Sequence, residues 1–569
     1  MNFDLSLIPF SRYGSYITIS YFKETRFIEE GLYIRSVHGG DDALGNIFRI
    51  ELVHLGESIS FKQIASPSIL RLESEKGYVE ICICEPHLIR ARGVSVGMRL
   101  TLVGGYYDNA IYAGDDRWEI NSYSEEIKFM ATPIKGSISA DTEINKDGRN
   151  NIVFDFLPNK NKTYGEFECA LEDYRAVWEK RSYNEDFDAC HMKVLDDYNK
   201  WLENTLDVSH ENMEKRELAA YITWSCIVPK KGKITRPAMY MSKNWMTNIW
   251  SWDHCFNAMA QIKNRPDIAW DQIMVMVDNQ DESGAFPDYV NDKFASWSCT
   301  KPPIHGWAIK WMMDRSDFFT KDKIKEIYTP LKRWTNWWLK YRDYDNDGIP
   351  QYNDGNESGW DNSTVFSKGC PIESPDLSAY LILQMDALSY MAQVLGYNEE
   401  SREWKLKADG TLDKMIEHFW RGDRFVSLHS GSHTSSNSES ESLILFVPII
   451  LGKRLPQYIL DSLIKVLKEE GRFLTNYGLA TESINSPYYI DDGYWRGPIW
   501  APSTMLIVDG LKSAGEIELA HKVSQRFCKM VRKSGMAENF NAITGEGLRD
   551  PAFTWTSSVF LILANEFMD

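Results

Sequence analysis

The stretch F-D-A-C-H-M-K-V-L-D-D-Y-N-K-W-L-E-N-T-L, Phe187–Leu206, separates two kinds of pattern in this chain. Within it, Met192, Leu195, Tyr198 and Leu202 recur every three or four positions, as one face of an amphipathic helix does. Upstream the period is two. Tyr16–Phe22, Phe48–Val53, Tyr78–Cys84, Met98–Val103 and Asn151–Phe156 alternate between apolar and polar residues, with turn-forming runs such as Gly39–Asp42 and Asn145–Gly148 between strands. Such alternation marks half-buried antiparallel strands, so residues 1–180 are expected to form a β-sandwich domain. Downstream, residues 181–569 carry about a dozen helical segments from Arg216–Ile227 to Thr554–Glu566, with no fixed sequence repeat. That argues against a regular solenoid and for about six helical hairpins closed into an (α/α)6 toroid. Side chains that do chemistry would then collect on the loops at one end.

Bulk composition excludes several function classes. A net charge of −18 opposes binding to nucleic acid or an anionic membrane, and no uncharged run is long enough to span a bilayer. The first residues, M-N-F-D-L-S-L-I-P-F, lack the basic and apolar regions of a secretion signal. Nine scattered cysteines form no disulfide framework, so reduced thiols in a cytoplasmic protein are expected. The 20 Trp, 28 Tyr and 26 Phe leave two readings open, a Trp-rich core or a carbohydrate site whose aromatic faces stack on sugar rings.

The loops between helices hold the unusual residues. In E-S-G-W-D-N-S, Glu357–Ser363, Asp361 lies between Trp360 and Asn362 in a Gly-containing turn. A carboxyl group so flanked suits partial desolvation and a general-acid role. Glu538, in G-M-A-E-N-F-N, is the candidate complementary base. W-M-T-N-I-W-S-W-D-H-C-F, Trp245–Phe256, offers Trp250 and Trp252 as an aromatic platform and Asp253 as an acceptor for sugar hydroxyls, or else a loop packed into the core. Gln280, His305 and Trp307 are candidate pocket residues in D-N-Q-D-E-S-G-A-F-P-D-Y-V and K-P-P-I-H-G-W-A-I, though a lone His ahead of a helix is more often structural. In Ile490–Pro502, Tyr494, Trp495, Arg496 and Trp500 combine stacking surfaces with a bidentate donor.

Asp343–Asp354, D-Y-D-N-D-G-I-P-Q-Y-N-D, places Asp343, Asp345 and Asp347 at alternate positions, Gly at the sixth and a carboxylate at the twelfth, as a calcium loop does. Asp in place of Glu at the twelfth and Pro350 depart from that pattern, leaving a structural calcium ion and a metal-free acidic turn both open. His429 and His433 have the spacing of helical metal ligands, but the Gly and Ser between them oppose a helix, so zinc is not expected from that pair.

Taken in order, E-S-G-W-D-N-S, Y-W-R-G-P-I-W-A-P and E-N-F-N-A-I-T-G-E-G resemble glycoside hydrolase family 63 and its bacterial mannosylglycerate and glucosylglycerate hydrolase-like branch. The W-S-W-D of Trp250–Asp253 and K-P-P-I-H-G-W fit the same group. Trehalases of the clan are similar at E-S-G-W-D, but this chain carries Y-W-R-G-P where trehalases usually have Q-W-D-x-P. The resemblance spans the helical domain. It implies an (α/α)6 toroid and inverting hydrolysis of a small α-glucoside or α-mannoside, without a required cofactor. Asp361 matches the family's general acid and Glu538 its general base, with Trp252, Asp253, Trp360, Arg496 and Trp500 holding the sugar. Room for the attacking water calls for carboxyl groups roughly 6.5–9.5 Å apart. The alternatives are a trehalase-like disaccharide hydrolase and, from other classes, a toroid epimerase or lyase using His or Tyr shuttles, or a non-catalytic sugar-binding protein.

Overall fold

The computed structural model of the protein describes residues 1–26, 28–40, 45–103, 105, 107–142, 152–158 and 165–567. By contact the chain divides into two units, one of Met1–Asn204 with Ala220–Pro229 and Ser242–Thr247, the other of the remaining residues to Asp569.

The first unit contains two antiparallel sheets. One runs Ile17–Phe22, Gly31–Ser36, Asn46–His54, Gly97–Leu102, Val153–Leu157, Ser137–Asp141, with Glu57–Ile59 hairpinned onto Asn46–His54. The other runs Asn109–Gly114, Arg117–Ser122, Ile127–Lys135, Glu166–Tyr174, Leu88–Val94, Gly77–Glu85, Leu70–Ser74, Lys62–Ala65. Alternation explains their common core. Phe48, Ile50 and Leu52 of one sheet and Val79, Ile81 and Ile83 of the other belong to one buried apolar cluster. Each such side chain contributes about 1.5–3 kcal/mol when removed from water. Register keeps the inward residues paired, with Phe48 opposite Leu102 and Ile50 opposite Leu100. The Asn145–Gly148 turn lies outside the described residues, as do positions 41 and 42 of the Gly39–Asp42 turn.

Helix α1, Phe187–Glu203, begins where Asp186 accepts a hydrogen bond from the Ala189 amide at 2.7 Å. It packs on strand Gly77–Glu85 within the first unit. Its buried side is Phe187, Cys190, Val194, Tyr198 and Trp201, whereas Met192 is 55% exposed. Of the expected stripe Met192, Leu195, Tyr198 and Leu202, Tyr198 is buried, Leu195 and Leu202 are half-buried, and only Met192 faces outward. Both stripes satisfy helical spacing, and the one holding the larger aromatics is buried.

The other helices are α2 Met213–Ser225, α3 Asp253–Gln261, α4 Pro266–Val277, α5 His305–Met313, α6 Lys321–Tyr341, α7 Pro375–Leu395, α8 Asn398–Phe419, α9 Gln457–Lys468, α10 Ala501–Ala514, α11 Ile517–Ser534 and α12 Thr554–Glu566. Where helical patterning is expected over Glu441–Leu451, the chain forms a 3₁₀ run, Leu443–Arg454, interrupted at Gly452 (φ 53°, ψ −133°). Pro448 inside it removes a donor and clashes with the carbonyl four residues back.

Contacts among six of these elements close a circuit: α12 to α3, α3 to α5, α5 to α7, α7 to Leu443–Arg454, that run to α10, and α10 back to α12. These elements are buried along most of their length. All nine residues of α3 are buried, as is α12 from Thr554 to Ala564. Gly306 permits the close approach of α5 to α7, since a Cβ there would stand 2.4 Å from Gln384 Cα. Against this circuit pack one-sided helices, α4 on α3, α6 and α8 on α7, α9 on Leu443–Arg454, and α11 on α10 and α12. In α6 the buried stripe is Ile324, Ile327, Tyr328, Leu331, Trp334, Thr335 and Trp338, the pattern of a helix with one face in solvent. Among the described residues no helix is long and apolar enough to cross a membrane.

Candidate active site

Asp361 sits on the chain between strand Gln351–Tyr352 and its antiparallel partner Ile372–Glu373. A short 3₁₀ turn, Gly355–Ser358, starts where the Asp354 carboxylate accepts from the Asn356 amide at 2.7 Å. Gly359 ends it at φ 74°, and a Cβ there would stand 2.6 Å from the Trp252 ring, so only glycine fits. Glu357 is buried and anchors the turn, accepting from Arg342 Nε at 3.1 Å and the Asn353 amide at 2.7 Å. Asn362 ties this loop to the next: its Oδ1 accepts from the Trp495 amide at 2.9 Å and its Nδ2 donates to Gly493 O at 3.0 Å. Arg496 Nε donates to the Asn362 carbonyl at 2.7 Å.

Lys301 gathers the carboxylates. Its Nζ is 3.3 Å from Asp288 Oδ1 and 4.0 Å from Asp361 Oδ1, and it donates to Asn356 O at 2.9 Å. Burial pushes the Asp361 carboxyl up to about 6, with Lys301 pulling against it. Its side chain nevertheless keeps 29% exposure, so it is both desolvated and reachable. Asp253, first residue of α3, is raised well above the carboxylate range by burial, and Asp288 and Asp361 add to the rise. In Lys301 the burial that would lower it is outweighed by Asp361 and Asp288, which hold the ammonium above its usual range.

Glu538 enters from another direction. It precedes strand Asn539–Phe540, which pairs with Ile499–Trp500, and its amide donates to Asp550 O at 2.7 Å. Burial and the neighbouring Asp550 charge raise it to about 8, while a hydrogen bond from Tyr494 and the charge of Arg549 favour its ionised form. Tyr494 feels Glu538, Asp361 and Asp253 at once, and with burial they raise its phenol strongly. Tyr494 and Arg549 hold φ values of 63° and 64°, a strained backbone for residues with side chains. The Arg549 guanidinium lies 5.7 Å from the Tyr494 ring centroid and binds Asp492 at 2.8 Å.

Trp252, Trp360, Trp495 and Trp500 converge here, but each is at most 2% exposed. Trp495 and Trp500 stack at 4.0 Å and 6°, and Trp360 lies 4.8 Å from Trp495. They make a packed floor rather than an open platform, because almost none of their ring surface is left exposed. Trp250 is partly exposed and lies beside Tyr289 at 5.3 Å. Three candidates fall outside the cluster. Gln280 donates to Gly284 O at 2.8 Å and Pro330 O at 3.0 Å, fastening a turn to α6. His305 is buried between His254, Phe286 and Trp334. Trp307 donates to Asp509 at 2.7 Å and lines a cavity of about 390 Å³ with Lys310, Trp311 and Lys512.

Asp343, Asp345 and Asp347 do converge, each offering an oxygen within 4.8 Å of the others. The twelfth residue, Asp354, instead caps the 3₁₀ turn. Lys301, Asp288 and Arg549 were missed from the sequence. Lys301 opens the K-P-P run and Asp288 lies in the acidic run before it, so only the type of residue, not its direction, signalled them.

Acid–base cleavage of a glycosidic bond needs two carboxyl groups, one of them protonated near neutrality, and the glycoside hydrolases are the class that this fold and site define. Residues 246–556 match the mannosylglycerate hydrolase MGH1-like glycoside hydrolase domain, and the chain belongs to that family. Mannosylglycerate hydrolase MGH2 of Selaginella moellendorffii is 21% identical over 397 residues, 55% of this chain and 79% of that protein. The GH63 mannosylglycerate hydrolase of Thermus thermophilus, solved with Tris and D-glycerate, aligns with a TM-score of 0.52 at 16% identity over 62% of this chain and 99% of that one. A bacterial glucoamylase complexed with acarbose aligns over 99% of this chain and 94% of its own, with a TM-score of 0.64 at 12% identity. At such identities the likeness is one of fold.

Proposed function

We propose that this glycosidase is an inverting enzyme acting on a small α-mannoside or α-glucoside of the glycosylglycerate kind, with Asp361 as general acid and Glu538 as general base. The observation that carries the reading is the hydrogen-bonded junction of Asn362 with Trp495, Gly493 and Arg496, which sets Tyr494, the partner of Glu538, beside the loop that bears Asp361. Asp361, partly exposed and held near 6, delivers a proton to the glycosidic oxygen. Glu538 is assigned to take the proton of a water that attacks the opposite face of the sugar; burial and Asp550 oppose the ionisation this needs, and Tyr494 and Arg549 assist it. Asp253 and Arg496 are the polar groups assigned to sugar hydroxyls, over the indole floor. The closed helical circuit supports an (α/α)6 toroid from residue 181 to 569, preceded by a β-sandwich domain from 1 to 180. Nine free cysteines, seven of them buried, favour a reducing, cytoplasmic setting. The relatives named mannosylglycerate hydrolase favour a glycerate leaving group.

The test is an anomer-resolved proton NMR time course with mannosylglycerate, glucosylglycerate and trehalose. Initial release of the β-anomer from a glycosylglycerate is expected, with turnover lowered by about 10²–10⁴-fold in Asp361→Asn and in Glu538→Gln. Initial release of the α-anomer would sink the inverting mechanism, and turnover of trehalose alone would move the substrate to the disaccharide class.

A further inference from the structure

We propose that His254, Cys255 and His305 hold one thiophilic metal ion, of the zinc or copper(I) kind, where the first turns of α3 and α5 meet. α3 begins at Asp253, so His254 and Cys255 both lie in its first turn, and His305 opens α5. The two helices are in contact. All three side chains are enclosed, and even the most accessible of them, His305, is 2% exposed.

One ligand atom from each residue lies within 4.8 Å of the other two. His254 Nδ1 is 2.9 Å from the Trp250 carbonyl, which only accepts, so Nδ1 carries the proton and Nε2 keeps its lone pair. That second nitrogen is 3.7 Å from Cys255 Sγ. Two ligands of one ion, with bonds of about 2.3 Å to sulfur and about 2.0–2.1 Å to nitrogen, stand about 3.5–3.8 Å apart at tetrahedral to trigonal angles. A thiol–imidazole hydrogen bond accounts for that contact alone. It leaves His305 unexplained. Among the described residues neither of its ring nitrogens has a hydrogen-bond partner, although a neutral imidazole carries one donor and one acceptor. Its ring neighbours are Phe286 at 4.9 Å, His254 at 5.1 Å and Trp334 at 6.3 Å.

The donor set chooses the ion. A thiolate with two imidazoles suits soft or borderline metals, whereas calcium and magnesium take oxygen. Burial and the Asp253 charge hold the thiol proton on Cys255, so the arriving ion displaces it, and that proton leaves to solvent. The Trp250 carbonyl behind His254 fixes the tautomer and the ring, as outer partners of metal-bound histidines do. Once loaded, the ion pins the start of α3, which carries Asp253, to the start of α5, just beyond Lys301. That consequence rests on the role proposed for the active site, while the metal site itself does not.

Untagged protein is produced in medium supplemented with zinc, copper or cobalt salts, dialysed against EDTA, and analysed for metal by mass spectrometry. One zinc or one copper ion per chain is expected to survive dialysis, because the site is enclosed, and the count shows which. The cobalt(II) protein should show a thiolate-to-metal charge-transfer band in the near ultraviolet. Cys255→Ser should lose that band. His305→Phe, which keeps an aromatic ring against Phe286 and Trp334, should retain no ion. Where a variant fails to fold, the wild-type count and band decide. No metal in the wild type, a bound ion without the thiolate band, or full retention by both variants would each overturn the site. A loaded protein whose Asp361→Asn form stays fully active keeps the site and rejects the role of Asp361.

Discussion

Removing a single oxygen from Tyr494 probes the acid–base pair directly. The phenol's hydrogen bond lowers Glu538, which even so stands at about 8, while Asp361 stands at about 6. Catalysis requires the reverse occupancy, a proton on Asp361 and none on Glu538. With the base two units above the acid, the productive form is about 1% of the free enzyme at the optimum. A hydrogen bond to a charged group is worth about 1.5–3 kcal/mol, or about one to two units of pKa. Tyr494→Phe is therefore expected to raise Glu538 by that amount. The alkaline limb of kcat/KM should move upward from about pH 8, and each unit should lower the optimum value about tenfold. The acid limb, set by Asp361, should stay near pH 6. The assay is kcat/KM from about pH 5 to about pH 10 on the preferred glycoside, with circular dichroism to confirm the fold. An alkaline limb that stays put, or moves down, would refute the coupling of Tyr494 to Glu538, whatever happened to the rate.

Lys301→Met removes the cation that opposes the rise of Asp361, so the acid limb should move upward; denaturant unfolding should show a loss of about 3 kcal/mol from the unpaired Asp288 and Asp361. Gly359→Ala places a Cβ 2.6 Å from Trp252 at a φ of 74°, and about 1–3 kcal/mol of stability should be lost along with turnover, measured by unfolding and by kcat. A fully stable and active Gly359→Ala would show that the turn has another conformation.

The residues of the proposed acid–base pair were legible where residue type carried the signal, and the geometry around them was not. Asp361 and Glu538 stood out because carboxyl groups beside Trp, Asn and Gly rarely serve packing alone. Tryptophans cannot announce their direction, so of the two readings of Trp250 and Trp252, platform or packed loop, Trp252 took the second and lies in a buried aromatic cluster. Lys301 lies 60 positions before Asp361 and reaches it only because α5 and the Asp361 loop meet in space. The backbone strain at Tyr494 has no sequence signature at all, since tyrosine does not favour positive φ. Among helices, periodicity found the elements but turned the face of α1 too far towards Met192 and could not foresee the 3₁₀ run around Pro448.

Asn362 spends its side-chain oxygen and nitrogen on the Trp495 amide and the Gly493 carbonyl, while its own carbonyl holds Arg496. Residues 361–363 and 493–496 are thus cross-linked into one piece that carries Asp361 and Tyr494 together. A designer exchanging rim loops to change the leaving group can leave that piece whole and keep the reacting groups in register. Grafting either half alone from a relative would break three hydrogen bonds at once. Under the proposed roles, Asn362 is the joint whose loss would shift Asp361 relative to Tyr494.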